Sequence, residues 1–525
     1  MQLFKGLLQS QNINSKLLLV MCSIIAFILA MPGSPLPLLT WVALVPIGLA
    51  LINTTPRQSA ILFYLCTVVC WLAAVGWLIP ALMKFTQLNT LVAFIILLLL
   101  CLILALPYAL IGWLISHQQW LHKPFGVFYI SAAYTVVIAF FPSLLPGNHV
   151  HALYQQPIFL QVLAIGGVPL LLFVVVFVNW QLVKALSCFR GNPRSACFAL
   201  LQAIAMLAVI MLYGFWQMNE LEKSIQQEGE AIKVGMIQPK LQREDALDPL
   251  FVMSARMVAQ DPSIDLLVWP EFPAAFSYLE NPQDKKRVDQ LIRLIKKPML
   301  LVSGYNYETP PTTQNPTPEY YNTAQLIDQN HKLQGSYDKQ ILVPFFEYIP
   351  AEAYFPFLRK LFPGALHYVP GKQEQIFNFN DAINIIPLIC YETVFPELSR
   401  QFVKQGGNII FNLTNDIWFG DYWGSAYHFS LGIFRSIENR VPWIRATNSG
   451  ISGVAKASGE IITGTLTPQL ETATRVFNVE IPPERSFYFH YGDIFLHMLM
   501  IILIFNLLKD VRLKRQERKR ASSPF

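Results

Sequence analysis

The sequence predicts an α-helical membrane bundle joined to a soluble α/β domain that is built as an α-β-β-α sandwich. Of the 525 residues, 54% are hydrophobic and only 14% are charged, which is too apolar for a chain that is soluble throughout. Residues 17–183 carry very few charges, whereas residues 218–487 have the mixed composition of a globular domain. We therefore divide the chain into membrane helices at 1–216, a soluble domain at 217–490, and a last span with a basic tail at 491–525.

Eight apolar segments of the sequence are candidates for membrane-spanning helices, because a span needs roughly 20 apolar residues. The first has the length of a signal peptide, but it lacks a convincing small-x-small cleavage site and further spans follow at once. We therefore interpret it as a retained helix. In chain order the segments are Leu17–Met31, Pro37–Ile52, Ala60–Leu82, Thr90–Ile115, Phe125–Phe141, Ile158–Val183, Ala196–Phe215 and Ile494–Leu508.

The distribution of lysine and arginine predicts the orientation of these spans, since cytoplasmic loops hold the excess of both residues. With a cytoplasmic N-terminus, the outer loops offer only Lys84. Both termini are then cytoplasmic, and the soluble domain lies in the periplasm of a bacterium. A basic run directly after a span is typical of a lipid-headgroup anchor rather than of a nucleic-acid site. The inner loops and the tail hold Lys5, Lys16, Arg57, Lys123, Lys184, Arg190, Arg194, Lys509, Arg512, Lys514, Arg515, Arg518, Lys519 and Arg520.

The membrane part shows few signs of transport or metal binding. Its candidate spans carry no convincing buried row of charges, which a transporter or a proton relay usually needs. His149 and His151 lie in the outer loop Pro142–Pro157, but two histidines without acidic or thiol partners make a poor metal site. We interpret both as loop residues near the lipid headgroups, and we expect neither a metal ion nor a cofactor.

Strands and helices alternate in the soluble domain, and this alternation predicts the sandwich: two sheets face to face with helices outside. The predicted helices are Asp245–Gln260, Gln283–Lys297, Glu392–Gln405 and Gly424–Asn439. The predicted strands are Ala231–Gln238, Ile264–Trp269, Met299–Ser303, Tyr321–Ile327, Leu333–Tyr337, Ala382–Ile389, Asn408–Leu413, Trp443–Thr447, Ile451–Ala457 and Arg475–Val479.

Cys390 is the only cysteine between Gln217 and Tyr491, so the soluble domain forms no internal disulfide. It lies at the turn between the predicted strand Ala382–Ile389 and the helix that begins at Glu392. Backbone N–H groups converge at such a turn and the helix end favours negative charge, so a thiolate and an oxyanion are both stabilised there. The alternative is an inert cysteine in the core.

Two further polar residues stand at or just beyond the ends of predicted strands. Glu271 ends the run Leu266–Glu271, and Lys339 follows Tyr337 and Asp338. A thiol is activated by an adjacent base or a nearby cation, so glutamate, lysine and cysteine together suffice for acyl transfer. Spacing alone does not show that the three residues meet, and each of the two charged residues could instead lie on the surface.

Three blocks around these residues resemble, in order, the signature blocks of the nitrilase (carbon–nitrogen hydrolase) superfamily: Val268–Glu271, Tyr337–Pro350 and Ile389–Glu397. With spans before and after the domain, the whole chain resembles the apolipoprotein N-acyltransferase family of Gram-negative bacteria. The resemblance implies a nitrilase-like sandwich attached to membrane helices. Further matching positions are Asn412–Gly420, Arg435, Glu438, Arg440 and Arg445–Gly450.

The resemblance also implies a Glu-Lys-Cys triad. Glu271 is then the general base that takes the proton of Cys390 and later protonates the leaving group. Lys339 stabilises the tetrahedral oxyanion, helped by the backbone N–H of Tyr391.

Two more carboxylates support this triad. Glu347 orients or neutralises Lys339. For Glu392 two interpretations stay open: a direct catalytic role, and that of a carboxylate favoured by the helix dipole.

The chain departs from the family pattern at three places. The loop Gln238–Arg243 is shorter than usual and lacks a tryptophan, Phe346 stands where glycine is common, and Phe272 stands where a small or hydroxyl residue is usual.

The implied reaction is a ping-pong acyl transfer, the last step of lipoprotein maturation. Cys390 takes the sn-1 acyl chain of a phospholipid, such as phosphatidylethanolamine, as a thioester. The α-amine of the N-terminal diacylglyceryl-cysteine of a lipoprotein then accepts that chain. The implied partners are the phospholipid, the diacylated apolipoprotein and membrane lipids, without nucleic acid, and we expect a monomer.

Two aromatic segments are candidates for walls or a lid over the site. The first, Phe345–Tyr368, has the irregular, aromatic composition of a loop at the bilayer interface, and the second is Ile417–Phe434. Core packing is the alternative for both. The candidate substrate contacts are Phe345, Phe346, Tyr348, Trp418 and Phe419.

Two other functions remain possible on sequence alone. A membrane-tethered amidase or nitrilase would use the same triad on a small amide, pass the acyl group to water and release ammonia. A transporter or receptor with a ligand-binding outer domain would keep its function after a Cys390→Ala substitution.

Overall fold

The structure, a computed structural model, describes residues 13–86, 88–143, 147–240, 247–272, 276–309, 319–373 and 375–521. Within these ranges, five helices are long and apolar enough to cross a membrane: Pro56–Ala74, Thr90–Gln118, Leu163–Cys188, Pro193–Glu228 and Ile494–Leu513. The shorter apolar helices are Ile13–Leu29, Pro37–Ala50 and Gly126–Phe140. Each predicted span therefore coincides with an apolar helix, and the number of helices that cross the bilayer stays a prediction.

Several predicted spans have different internal structure or bounds. Ala60–Leu82 was expected to be one helix, but the chain forms Pro56–Ala74 and Leu78–Thr86 with a turn between them. Thr90–Gln118 divides into Thr90–Leu104 and Leu106–Gln118. Pro193–Glu228 extends well beyond the apolar run, because the residues after Trp216 include several good helix formers such as glutamate, lysine and glutamine.

The predicted span Ile158–Val183 is also broken near its N-terminal end. The chain forms a short helix at Pro157–Leu160 and a long one at Leu163–Cys188, which is interrupted at Gly166 and Gly167. Gly167 has φ +60° and ψ −163°, a conformation that is essentially restricted to glycine.

The soluble domain contains two sheets. The first has the strands β1 (Glu230–Gln238), β2 (Leu266–Glu271), β3 (Met299–Thr309), β4 (Glu319–Ile327), β5 (Leu333–Asp338) and β11 (Ala473–Ile481), in the order β11-β1-β2-β3-β4-β5. The second has β6 (Phe377–Asn378), β7 (Asn384–Ile389), β8 (Ile409–Thr414), β9 (Trp443–Thr447) and β10 (Gly453–Ala455), in the order β10-β9-β8-β7-β6. Strands β1–β3 are parallel to one another, as are β7–β9, and the outer strands pair antiparallel.

Both faces of the first sheet are buried at its central strand β2. Val268 of β2 packs in the core between the sheets, whereas its neighbours Leu267 and Trp269 pack in a second cluster on the outer face. The helices Leu247–Gln260 and Pro282–Ile295 cover that outer face, and Pro396–Lys404 and Gly424–Asn439 contact strands of the other sheet. The predicted α-β-β-α sandwich is confirmed.

The predicted helix Glu392–Gln405 is wrong in one respect, because it consists of two elements. A 3₁₀ helix runs from Cys390 to Val394, and an α-helix runs from Pro396 to Lys404. Phe395 between them is extended, with φ −97° and ψ 109°. The residue before a proline is pushed out of the helical region by the proline ring, so Pro396 separates the two elements.

One end of the bundle of membrane helices packs directly against the soluble domain. His151, expected near the headgroups, is instead buried, and its ring stacks on that of Phe434 with centroids 4.4 Å apart. The Gln161 amide donates to the Ser458 carbonyl at 2.8 Å, and its oxygen accepts from Arg440 at 2.7 Å. The two parts therefore share a packed interface. The remaining short elements are the 3₁₀ turns Trp120–His122, His149–Gln155 and Ile417–Phe419 and the helices Phe357–Leu361 and Phe487–Tyr491.

Candidate active site

The sandwich brings the three predicted residues together. Glu271 ends β2 and Lys339 follows β5, whereas Cys390 follows β7 of the facing sheet. Lys339 Nζ lies 3.6 Å from Glu271 Oε1, and the Cys390 thiol hydrogen-bonds with the Glu271 carboxyl group. Glu271 and Lys339 are buried and Cys390 is half-buried. A base, a cation and a thiol therefore meet where water has little access.

The Glu271 carboxylate is held by two donors. Asn322 Nδ2 donates to Oε1 at 2.7 Å, and the backbone N–H of Asn415 donates to Oε2 at 2.9 Å. Burial raises the pKa of Glu271, while Lys339 and the Asn322 hydrogen bond oppose that rise. A raised pKa strengthens the carboxylate as a proton acceptor, as general base catalysis requires.

Lys339 is charged between two carboxylates. Its Nζ donates to Glu347 Oε1 at 2.7 Å, and Glu347 Oε2 accepts from the backbone N–H of Val343 at 2.7 Å. Burial favours the neutral amine, but Glu347 and Glu271 outweigh it and raise the pKa of Lys339. The ammonium group is therefore fixed, protonated and beside the thiol.

The Cys390 thiol is neutral at rest. Burial and the neighbouring Glu271 raise its pKa, against the opposing effects of Lys339 and a hydrogen bond with Thr414. A nucleophilic attack by this sulfur therefore requires transfer of its proton, and the hydrogen-bonded Glu271 carboxylate is placed to accept it.

The backbone is strained at three residues beside the site. Cys390 has φ +52°, Phe272 has φ +46° and Phe345 has φ +66°. These values lie in the left-handed region, which costs a non-glycine residue of order 1–3 kcal/mol and is common at active sites. Two of the three are the nucleophile candidate and the residue after Glu271.

Glu392 joins the cysteine turn to the lysine loop. Its Oε1 accepts from the Tyr337 hydroxyl at 2.7 Å and from the backbone N–H groups of Gln340 and Ile341 at 2.7 and 3.2 Å. Its Oε2 accepts from Ile389 N at 2.8 Å. Burial raises the pKa of Glu392 to about 7, although these donors favour the carboxylate. The contacts favour a positioning role over a catalytic one.

A buried ionic network lies behind the cysteine turn. Arg445 Nη2 donates to both carboxylate oxygens of Asp416 at 2.7 and 2.6 Å, and its Nη1 donates to Asn412 Oδ1 at 2.8 Å. The Nδ1 atom of His428 lies 3.0 Å from Arg445 Nη2. Although burial opposes its charge, Asp416 is ionised because Arg445 lowers its pKa.

Sequence reasoning assigned no role to Asn322 or His428. Asn322 is a buried polar residue in a strand whose residues are mostly buried on both faces, and such a side chain needs a hydrogen-bonding partner. This need for a partner is the signal by which Asn322 could have been found. His428 lies on a helix that was interpreted as an aromatic wall.

The two aromatic segments differ in structure. Phe345 packs on Phe362 and Phe346 on Trp418, each with ring centroids 4.9 Å apart. Leu82 and Ala93 of the membrane helices pack in the same apolar cluster as Phe345 and Phe346. The tip of the first segment is open, since Tyr354, Phe355 and Phe357 are 84, 52 and 61% exposed.

The second segment divides in two. Trp418 and Phe419 are half-buried, and Trp77 of the membrane part meets the Phe419 ring edge-on at 4.6 Å. Tyr348 in the first segment is also half-buried. From Gly424 onward the chain is a buried helix whose Phe429 and Phe434 pack in the core, so the wall interpretation is wrong for that half.

The shortened loop has a structural anchor. Gln238 Nε2 donates to the carbonyls of Pro468 and Glu471, and its Oε1 accepts from Ser452 and Thr467. The last three residues of the predicted loop, Leu241–Arg243, lie outside the described residues.

Asn322→Leu is expected to lower the reaction rate at least about tenfold on the acidic side of the pH–rate profile, because a hydrogen bond to a buried charge is worth ~1.5–3 kcal/mol. Loss of this donor raises the pKa of Glu271 further, so the base becomes protonated at a higher pH. The acidic limb of the pH–rate profile therefore moves to higher pH. The rate of Cys390 acylation between pH 5 and 9 measures this. Asn330→Leu, in the exposed hairpin that follows the same strand, is the control. An unshifted limb for Asn322→Leu contradicts the assignment.

Comparison with known proteins agrees with the geometry. Residues 218–483 match the carbon–nitrogen hydrolase family, and residues 23–181 match the N-terminal domain of apolipoprotein N-acyltransferase. The apolipoprotein N-acyltransferase of Geobacter metallireducens is 29% identical over 495 residues, which cover 91% of this chain and 92% of that protein. The apolipoprotein N-acyltransferase of Allorhizobium ampelinum is 28% identical over 323 residues, 58% of each chain.

Among solved structures, an amidase from Nesterenkonia sp. AN1 in complex with butyramide is 18% identical over 51% of this chain and 96% of its own, with a TM-score of 0.37. The two family matches fall on the N-terminal membrane helices and on the sandwich. The chain belongs to the carbon–nitrogen hydrolase family, in the membrane-bound branch formed by the apolipoprotein N-acyltransferases.

Proposed function

We propose that this N-acyltransferase moves the sn-1 acyl chain of a phospholipid, through a thioester on Cys390, to the α-amine of a lipoprotein's N-terminal diacylglyceryl-cysteine. The cluster of Glu271, Lys339 and Cys390 carries the proposal, because it supplies base, cation and nucleophile in one place. Its attachment to membrane helices brings that cluster to lipid substrates.

The first half of the reaction forms the thioester. Cys390 Sγ attacks the ester carbonyl while its proton passes to Glu271, and the carbonyl oxygen becomes an oxyanion. Lys339 Nζ and the Tyr391 N–H stabilise this oxyanion in a site of low dielectric, where such donors are most effective. The C–O bond then breaks, Glu271 protonates the departing oxygen, and a lysophospholipid leaves.

The second half transfers the acyl chain to nitrogen. Glu271, now ionised again, takes a proton from the incoming amine as it attacks the thioester carbonyl. The same donors stabilise the second oxyanion. The C–S bond breaks, the proton returns to the sulfur, and the triacylated lipoprotein leaves with its new amide. Water must be kept out, since it would hydrolyse the thioester.

Membrane placement explains why both substrates reach the site. We propose that the sandwich lies in the periplasm, over the outer leaflet, with both termini in the cytoplasm. The ion pair between Lys123 and Asp510, at 2.6 Å, is consistent with this orientation, because it joins a predicted inner loop to the C-terminal helix, which the orientation puts on the same side. The exposed Tyr354, Phe355 and Phe357 fit an interfacial position, where aromatic side chains accumulate.

The packed aromatic residues at 345–348 and 418–419 are proposed as walls that shield the acyl chain from water. Phosphatidylethanolamine is the proposed donor, and we expect the chain to act as a monomer. A small-amide hydrolase would use the same triad, but it would need neither these aromatic walls nor the membrane helices.

The test is to incubate the full chain, purified in detergent, with phosphatidylethanolamine labelled in its sn-1 acyl chain. We expect a hydroxylamine-sensitive label on the Cys390 peptide, which a diacylglyceryl-cysteine lipopeptide then discharges into an N-acylated product. Cys390→Ala serves as the negative control and Cys197→Ala as the positive control, since Cys197 is an exposed cysteine on a membrane helix.

Three outcomes contradict the proposal. An absent label on a folded protein excludes the acyl-enzyme. Ammonia release from small amides without phospholipid acylation favours the amidase. Function that persists in Cys390→Ala favours a transporter or receptor.

A further inference from the structure

The peptide between Cys390 and Tyr391 is held from behind by two side chains. The Cys390 carbonyl accepts a hydrogen bond from Asn412 Nδ2 at 3.0 Å and lies 3.3 Å from His428 Nε2. In a planar trans peptide the C=O and the following N–H point in opposite directions. Whatever fixes the Cys390 carbonyl therefore also fixes the direction of the Tyr391 N–H.

The partners of His428 determine its tautomer. Its Nδ1 lies 3.0 Å from Arg445 Nη2 and 3.2 Å from Asp416 Oδ1. A guanidinium group only donates and a carbonyl oxygen only accepts. A ring proton on Nε2 therefore satisfies both the shorter Nδ1 contact, which is the one with Arg445, and the Nε2 contact with the Cys390 carbonyl. Burial and Arg445 also lower the pKa of His428, which keeps the ring neutral. Nε2–H therefore donates to the Cys390 carbonyl.

The same guanidinium orients the second donor. Arg445 Nη1 donates to Asn412 Oδ1 at 2.8 Å, so the amide oxygen faces Arg445 and the NH₂ group faces the Cys390 carbonyl. Both oxygens of Asp416 in turn hold Arg445 Nη2. One buried arginine thus sets the donor direction of both side chains.

We infer that His428 and Asn412 are positioning residues that hold the Cys390–Tyr391 peptide so that the Tyr391 N–H points at the developing oxyanion. The inference rests on the proposed function, since it assigns a cause to the backbone half of that oxyanion site. Cys390 has the strained φ of +52°, so this peptide needs support from its surroundings. Without these donors, a buried carbonyl loses its partners and the peptide is freer to rotate.

The rates of two reactions of the Cys390 thiol, acylation and alkylation, distinguish a positioning role of His428 from a purely structural one. Acylation by phospholipid passes through an oxyanion, whereas alkylation by iodoacetamide is a displacement at carbon that forms none. His428→Ala is expected to lower kcat for acylation about 10²-fold, a typical effect of losing an oxyanion donor. Alkylation of Cys390, followed by mass spectrometry of its peptide, is expected to stay within about twofold.

Conservative variants keep the test decisive. His428→Gln places an N–H donor near the original Nε2 position and is expected to recover at least about tenfold of the lost rate, with KM unchanged. Asn412→Ala combined with His428→Ala is expected to be less than additive, because both residues hold one carbonyl. Ser430→Ala, on the same buried helix, is the matched control.

The results distinguish this inference from the reaction itself. The positioning role is overturned if His428→Ala acylates Cys390 at the wild-type rate. It is also overturned if folded His428→Gln loses acylation and alkylation to the same extent. A wild-type chain that forms no thioester contradicts the proposed function instead.

Discussion

Replacing Lys339 by methionine is expected to slow acyl transfer about 10²–10³-fold and to destabilise the fold by about 3–5 kcal/mol. The rate falls because the oxyanion loses its charged donor. The stability falls because the Glu271 and Glu347 carboxylates, which Lys339 contacts at 3.6 and 2.7 Å, stay buried without their cation. Thioester formation and the apparent melting temperature of the detergent-purified chain measure the two effects.

A second substitution separates the two effects of Lys339→Met. Adding Glu347→Gln removes one of the two uncompensated charges, so it is expected to recover much of the stability but none of the rate. Lys332→Met, on an exposed hairpin, is the surface control and is expected to change neither. Wild-type acylation by Lys339→Met would exclude the lysine from oxyanion stabilisation.

Glu392→Gln is expected to destabilise the fold by about 2–4 kcal/mol and to lower kcat more than it raises KM. The amide keeps the shape of the carboxylate but turns one acceptor oxygen into a donor. Four donors, from Tyr337, Gln340, Ile341 and Ile389, converge on this carboxylate, so at least one contact becomes repulsive. Ile389 precedes Cys390 and Gln340 follows Lys339, so a displacement caused by this repulsion reaches both catalytic candidates.

Glu397→Gln is the matched control for Glu392→Gln. Glu397 is a nearby carboxylate, 62% exposed and 3.7 Å from Arg400, and its substitution is expected to stay within about 0.5 kcal/mol. Unchanged melting and rate in Glu392→Gln would refute the linking role of this residue. If the loss of kcat in Glu392→Gln is fully accounted for by the lower melting temperature, Glu392 contributes only to folding stability.

The fold class followed from the sequence because its patterns are local. Gly424–Asn439 and Trp443–Thr447 have the predicted bounds, since helical and strand periodicities are visible in a short window. The boundary after Cys390 was wrong because a single proline outweighed a helical pattern. His151 was misplaced because burial against Phe434 depends on a contact between residues 283 positions apart.

Sequence by itself determined the apolar helices, the alternating α/β domain and three polar residues at strand ends, because each of these is written in local composition and spacing. Resemblance added the roles of Glu271, Lys339 and Cys390. Only the tertiary structure decided that the three meet, that Glu392 binds four donors, and that His428 and Asn412 hold the cysteine carbonyl. These contacts join residues from strands, loops and a helix far apart in the chain, and no local pattern encodes the distances between them.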